Sequence, residues 1–137
     1  MRVITTPMFT PGGADMRMIE IDFEAQPPID GYGPNGFRIA GAWHEGGVLL
    51  LPDGITQLAA IDLAALERVL RGAAALDVLL IGQGADIAPL SADLRQALDD
   101  AGVGHEVMSS PSACRTYNVL LTEDRRVGAA LLPVGVP

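Results

Sequence analysis

The stretch Asp77-Val78-Leu79-Leu80-Ile81-Gly82-Gln83-Gly84 decides the architecture. Val78 to Ile81 is an unbroken apolar run that closes on a Gly-x-Gly turn. A run of this kind fits a strand covered on both faces, as in a sheet sandwiched between helices. The sequence after it alternates between helical and strand patterns. Ser91 can cap a helix with Leu90, Leu94, Ala97, Leu98 and Ala101 on one stripe, and Gly102 stands where a left-handed C-terminal cap belongs. Val103 to Met108 reads as a strand. Ser110-Pro111 then reads as an N-cap with proline at the first helical position, opening a helix with Ala113, Tyr117, Leu120 and Leu121 inward. Val127 to Leu132 reads as a last, fully apolar strand. Strands separated by helices of this length predict right-handed crossovers.

In the other direction, Asp62 predicts a cap for a helix with Leu63, Leu66, Leu70 and Ala73 on its apolar stripe. The first half reads as β structure. Arg17 to Phe23 alternates, Pro27-Pro28 interrupts, and Tyr32-Gly33-Pro34-Asn35-Gly36 is a turn cluster. Phe37, Ile39 and Trp43 then alternate with Arg38, Ala40 and Ala42. His44-Glu45-Gly46-Gly47 predicts the hairpin turn that returns as Val48 to Leu51. Pro52-Asp53-Gly54 turns into a short strand from Ile55 to Ala60. The expected fold class is α/β: one domain over residues 1–137 in three layers. A mixed, largely parallel central sheet carries helices, and an antiparallel β layer packs in front.

Composition removes several functions. The chain has nine basic against seventeen acidic residues, and every basic residue is arginine. A P-loop needs lysine on the β/γ-phosphates and Schiff-base chemistry needs its amine, so both are excluded. The net charge of −8 opposes nucleic acid and anionic lipid. No apolar stretch reaches the ~18–20 residues of a membrane span. Met1 to Phe9 lacks the apolar core of a signal peptide, which makes the cytoplasm the expected location. With 16 glycines counted beside the 49% hydrophobic residues, the apolar share is about 61%. The usual figure is ~45–50%. That surplus fits either an interface, with a partner or in a homo-oligomer, or the 19 alanines, which are cheap to expose.

The reactive inventory is short. Cys114 is the lone cysteine, and His44 and His105 stand without a second ligand at metal spacing, so neither metal nor cofactor is expected. Gly82 and Gly84 follow a buried strand, where a doubly wound fold holds phosphate. Ile87 replaces the third glycine of the dinucleotide fingerprint, and loop closure is the simpler reading. A helix start at Ser110 would offer free N–H groups to an anion, and Arg115 could grip a carboxylate or phosphate. Capping by Ser110 and pairing of Arg115 with Glu123 explain the same residues. Cys114 beside Arg115 could be an activated thiol or, as free cysteines usually are, a buried one.

The block Ala113-Cys114-Arg115-Thr116-Tyr117-Asn118-Val119-Leu120, followed by Glu123 and Arg125, carries a family resemblance. Gly36-Phe37-Arg38-Ile39, Leu49-Leu50-Leu51-Pro52, the Asp77–Gly84 strand and Ala129-Ala130-Leu131-Leu132-Pro133 share it. Over residues 17 to 133 the chain resembles the small-domain family of unknown function that includes mitochondrial complex I (NADH:ubiquinone oxidoreductase) assembly factor three. The resemblance implies a three-layer fold and, for mitochondrial members, a non-enzymatic role in assembling complex I with a protein partner. Two departures stand out: Met1 to Phe9 does not read as a presequence, which leads us to expect a prokaryotic protein, and Gln57-Leu58 stands where relatives often carry Trp. The expected function is a binding or assembly-helper module. Its candidate contacts are Gly82, Gly84, Ser110, Arg115, Thr116 and Asn118. The alternative is a small-anion or nucleotide-like binder, or an enzyme, at the same edge; a redox sensor through Cys114 ranks last.

Overall fold

Val78, Leu79, Leu80 and Ile81 do lie in a strand flanked on both sides. In a computed structural model, which describes residues 26–72 and 75–135, they form β6 (Val78–Gly82). β6 pairs in parallel with β7 (His105–Met108) on one side and β8 (Val127–Leu131) on the other. Leu80 faces one core with Ala113, Tyr117 and Ala129, while Leu79 and Ile81 face a second with Leu94, Leu98 and Ala130. That two-sided burial is why the run carries no polar residue. The expected strand Arg17 to Phe23, and Ala73 of the expected helix, lie outside the described residues.

The central sheet is mixed, in the order β5-β4-β8-β6-β7. Its antiparallel part is the hairpin of β4 (Gly47–Leu51) and β5 (Gly54–Leu58), with β4 also paired to β8. In front stands a separate antiparallel sheet of β1 (Ile29–Gly33), β2 (Gly36–Ile39) and β3 (Ala42–Glu45). Phe37 and Ile39 from this layer are fully buried in the same core as Val48, Leu50 and Leu80.

The front layer corrects one expectation. Phe37 to Trp43 is not a single strand, because the chain reverses at Ala40-Gly41, both at positive φ (53° and 80°). Trp43 therefore pairs with Arg38 on the outer face instead of sharing the face of Phe37. His44-Glu45-Gly46-Gly47 is not a hairpin turn either: His44 and Glu45 complete β3, and Gly46 at φ 82° carries the chain across to the central sheet.

Helix α2 (Ala92–Asp100) is capped by Ser91, whose hydroxyl accepts the Leu94 N–H, and Gly102 adopts φ 74° as expected. The segment after Asp62 is less helical than its spacing predicts. Asp62 accepts the Ala65 N–H at 2.8 Å, yet turns continue until the short α1 (Glu67–Leu70). Leu66 and Val69 enter the core while Leu63 stays exposed. Arg68 on α1 pairs with Asp53 in the β4–β5 turn. The hydrogen bond from Arg68 holds that carboxyl below its usual range.

Helix α3 (Ser110–Thr122) is the piece shared by both sheets. It buries Ala113, Cys114 and Tyr117 on the central sheet, and Asn118 holds the front layer. The Asn118 Oδ1 accepts the Ile29 N–H at 2.8 Å, and its Nδ2 donates to the Ile29 carbonyl at 2.9 Å. Replacing Asn118 by Ala strands both main-chain groups of Ile29. We expect a loss of about 1–3 kcal/mol, read as a lower urea midpoint with an unchanged slope. An unaltered midpoint would show that Asn118 does not hold the layers together.

Candidate functional site

In sheets of this kind ligands usually sit beyond the carboxyl ends of the parallel strands. Here that end holds the Gly82–Gly84 loop, the start of α3 and the segment after β8. Ser109, not Ser110, is the N-cap: its hydroxyl accepts the Ser112 N–H at 3.4 Å, and Pro111 is the second helical residue. Ser110 is displaced one position inward and is completely buried. Its N–H donates to the Gly84 carbonyl at 2.7 Å, and its hydroxyl accepts the Gly84 N–H at 2.9 Å while donating to the Leu132 carbonyl at 2.6 Å.

The consequence for anion binding is direct. Pro111 has no N–H, Ser110 and Ser112 donate as above, and the Ala113 N–H bonds Ser109 O at 2.9 Å. The N–H groups of Ser110, Ser112 and Ala113, which a helix start would turn toward an anion, are thus engaged inside the protein. Space is closed as well. A Cβ on Gly82 would lie 2.9 Å from the Ser110 Cα and 2.9 Å from a Leu131 methyl, so glycine is what lets α3 approach the strand. Gly84, at φ 94°, turns the chain away beside Pro133.

The six candidate residues thus divide. Gly82, Gly84 and Ser110 come together as a closed joint. Arg115 is exposed on the helix surface, its guanidinium donating to the Ser112 hydroxyl at 3.3 Å rather than to Glu123. Thr116 lies lower on α3, in a cleft of about 330 Å³ with Asp77, Glu106 and Arg125. Asn118 faces the front sheet.

Cys114 is only 5% exposed, and burial raises its thiol to about 11, outweighing the opposing charge of Arg115. A raised value in the folded state favours the protonated thiol, so this contribution to stability is full below the unfolded value and fades as pH climbs toward 11. The Tyr117 hydroxyl is likewise pushed up by burial, and it donates to the Pro27 carbonyl at 3.0 Å.

Sequence reading missed a second place. Where β3 crosses to β4, a cleft of about 310 Å³ opens between Trp43, His44 and Glu45 on one side and Ile55, Thr56 and Gln57 on the other. Trp43 lies across Gly33 and Gly36, is 45% exposed, and donates its indole N–H to Glu45 at 2.8 Å. An exposed Trp, the only one in the chain, was the available signal. It was hidden by assigning Trp43 to the buried alternation.

Two outcomes follow from this geometry. Ser110→Ala leaves the Gly84 N–H and Leu132 carbonyl unpaired and should cost about 1–3 kcal/mol in chemical denaturation; a neutral result would mean the joint is wet or open. Cys114 should resist iodoacetamide at pH 8 in the native protein and react once unfolded. Equal rates in the two states would contradict its burial.

Comparison with known proteins places this fold. Residues 29–132 match the family described as "Protein of unknown function (DUF498/DUF598)". An uncharacterized protein of Rhodobacter capsulatus is 51% identical over 115 residues, 84% of this chain and 91% of that one. NADH dehydrogenase (ubiquinone) 1 alpha subcomplex assembly factor 3 is 34% identical in Danio rerio over 110 residues and 30% identical in Homo sapiens over 113. Each match covers 77% of this chain but 63% and 60% of those proteins, so the chain spans less than two thirds of their length. A crystal structure described as an outer membrane protein from Bartonella henselae superposes with a TM-score of 0.75 at 37% identity, covering 81% of this chain and 98% of that one. With three quarters of its length inside the family match, the chain belongs to the DUF498/DUF598 family and is related to the complex I assembly factors.

Proposed function

We propose that this chain is a non-enzymatic protein-binding module that helps assemble a respiratory NADH dehydrogenase. The observation that carries the reading is the 34% identity to the Danio rerio assembly factor over 110 residues. The closed edge supports it: a joint in which the Ser110, Ser112 and Ala113 N–H groups are engaged internally has a mechanical task and leaves a small anion little to hold. The buried thiol and phenol point the same way, since both are held protonated. On this reading the module is a single cytoplasmic domain, with a protein as its partner and nucleic acid repelled by its net charge of −8. No helix among the described residues is long and apolar enough to cross a membrane.

The test is genetic and biochemical. Deleting the 51% identical relative in Rhodobacter capsulatus should reduce the assembled NADH dehydrogenase seen in membranes on native gels, and this chain supplied in trans should restore it. Unchanged amounts of the assembled enzyme after deletion would overturn the reading.

A further inference from the structure

Strand edges attract other strands, and proteins normally blunt them with a charge, a proline or a bulge. Among the described residues, two sheets give four edges. β1 carries Asp30 and an irregular register between Ile29 and Gly31. β7 carries His105 and Glu106, and β3 carries His44 and Glu45. β5 is different. Gly54-Ile55-Thr56-Gln57-Leu58 contains no charge and no proline, and it pairs with β4 in unbroken register.

The pairing phase shows which main-chain groups point away from any strand among the described residues. Leu51↔Gly54 closes a two-residue turn and is therefore a mutually hydrogen-bonded pair, as are Leu49↔Thr56 and Gly47↔Leu58 in the same phase. Ile55 and Gln57 consequently direct their N–H and C=O away from β4. Counting from Ile39↔Ala42 in the front sheet leaves Trp43 and Glu45 directed away from β2. All four residues line the 310 Å³ cleft, and a second cleft of about 340 Å³ shares its Gly47 and Gln57 and adds Leu58 and Pro133. Among the described residues, Glu45 is the only formally charged side chain lining either one.

From this arrangement, and resting on the reading of the chain as a protein-binding module, we infer that the β3/β5 cleft receives an extended segment of a protein partner. The segment pairs its main chain with the outward-pointing groups of Ile55 and Gln57 or of Trp43 and Glu45. It places apolar side chains over Val48 and Ile55, and presents Lys or Arg to Glu45. Strand addition draws affinity from main-chain hydrogen bonds and selectivity from alternate side chains. One acidic group among the uncharged lining residues of the cleft, on a chain of net charge −8, sets the sign of that selectivity.

The probe is a short synthetic peptide of alternating valine and lysine, titrated into isotope-labelled protein. Amide shifts should centre on Trp43, Glu45, Ile55 and Gln57. A version with proline replacing the valines keeps the charge but cannot pair, and should bind at least about tenfold more weakly. Glu45→Gln and Gln57→Lys, both at exposed positions, should each weaken the lysine peptide by about tenfold. Equal binding of the proline version, or shifts centred on β7 or α3, would overturn the inference. The two proposals separate cleanly. A Gln57→Lys chain that restores NADH dehydrogenase as well as the unaltered chain removes the cleft and leaves the assembly role standing. Peptide binding as described, with the dehydrogenase indifferent to the deletion, does the reverse.

Discussion

The hydroxyl of Ser110 is the interaction on which the arrangement depends. It joins three segments far apart in sequence: the start of α3, the loop after β6 and the exit of β8. A buried hydroxyl in this position must satisfy its hydrogen bonds internally, because leaving it unpaired costs more than the bonds return. Once it has done so, α3 is fixed against the central sheet at the end where a doubly wound fold would open a ligand crevice. The crevice becomes structure.

The same helix settles where the front layer stands. Tyr117 is buried between the sheets and Asn118 reaches Ile29, so α3 ties β1 in place while Phe37 and Ile39 pack on Val48 and Leu50. Gly46 and Gly47 let the chain step from one sheet to the other, the second because a side chain there would collide with the carbonyls of Leu58 and Leu131. The front sheet ends at β3 and the central sheet continues to β5, which leaves a ledge. It is to that ledge, and not to the usual crevice, that we assign recognition of a partner.

Much of the core was legible. Val78 to Ile81 identified a strand covered on both faces because two-sided burial admits no polar residue, and Ser91 and Gly102 marked the ends of α2 because caps have side-chain requirements of their own. Other features were hidden for physical reasons. Ala40-Gly41 reverses the chain although alanine seldom takes φ 53°, and an alternating pattern that runs through such a turn reads as one strand. Ser109 and Ser110 are chemically alike, so only packing decides which one caps the helix. The closed joint was also invisible, since Leu132 contributes its carbonyl and not its side chain. The cleft depends on which main-chain groups point outward, a matter of register that composition does not encode.

Amide hydrogen exchange at the start of α3 tests the central claim most directly. If the carboxyl end of the sheet is sealed by its own hydrogen bonds, the N–H groups of Gly84 and Ser110 exchange as slowly as those within β6, and adding inorganic phosphate shifts neither them nor Ser112. Rapid exchange at these amides, together with phosphate-dependent shifts at Ser110 and Ser112, would mean an open anion site and would contradict the account.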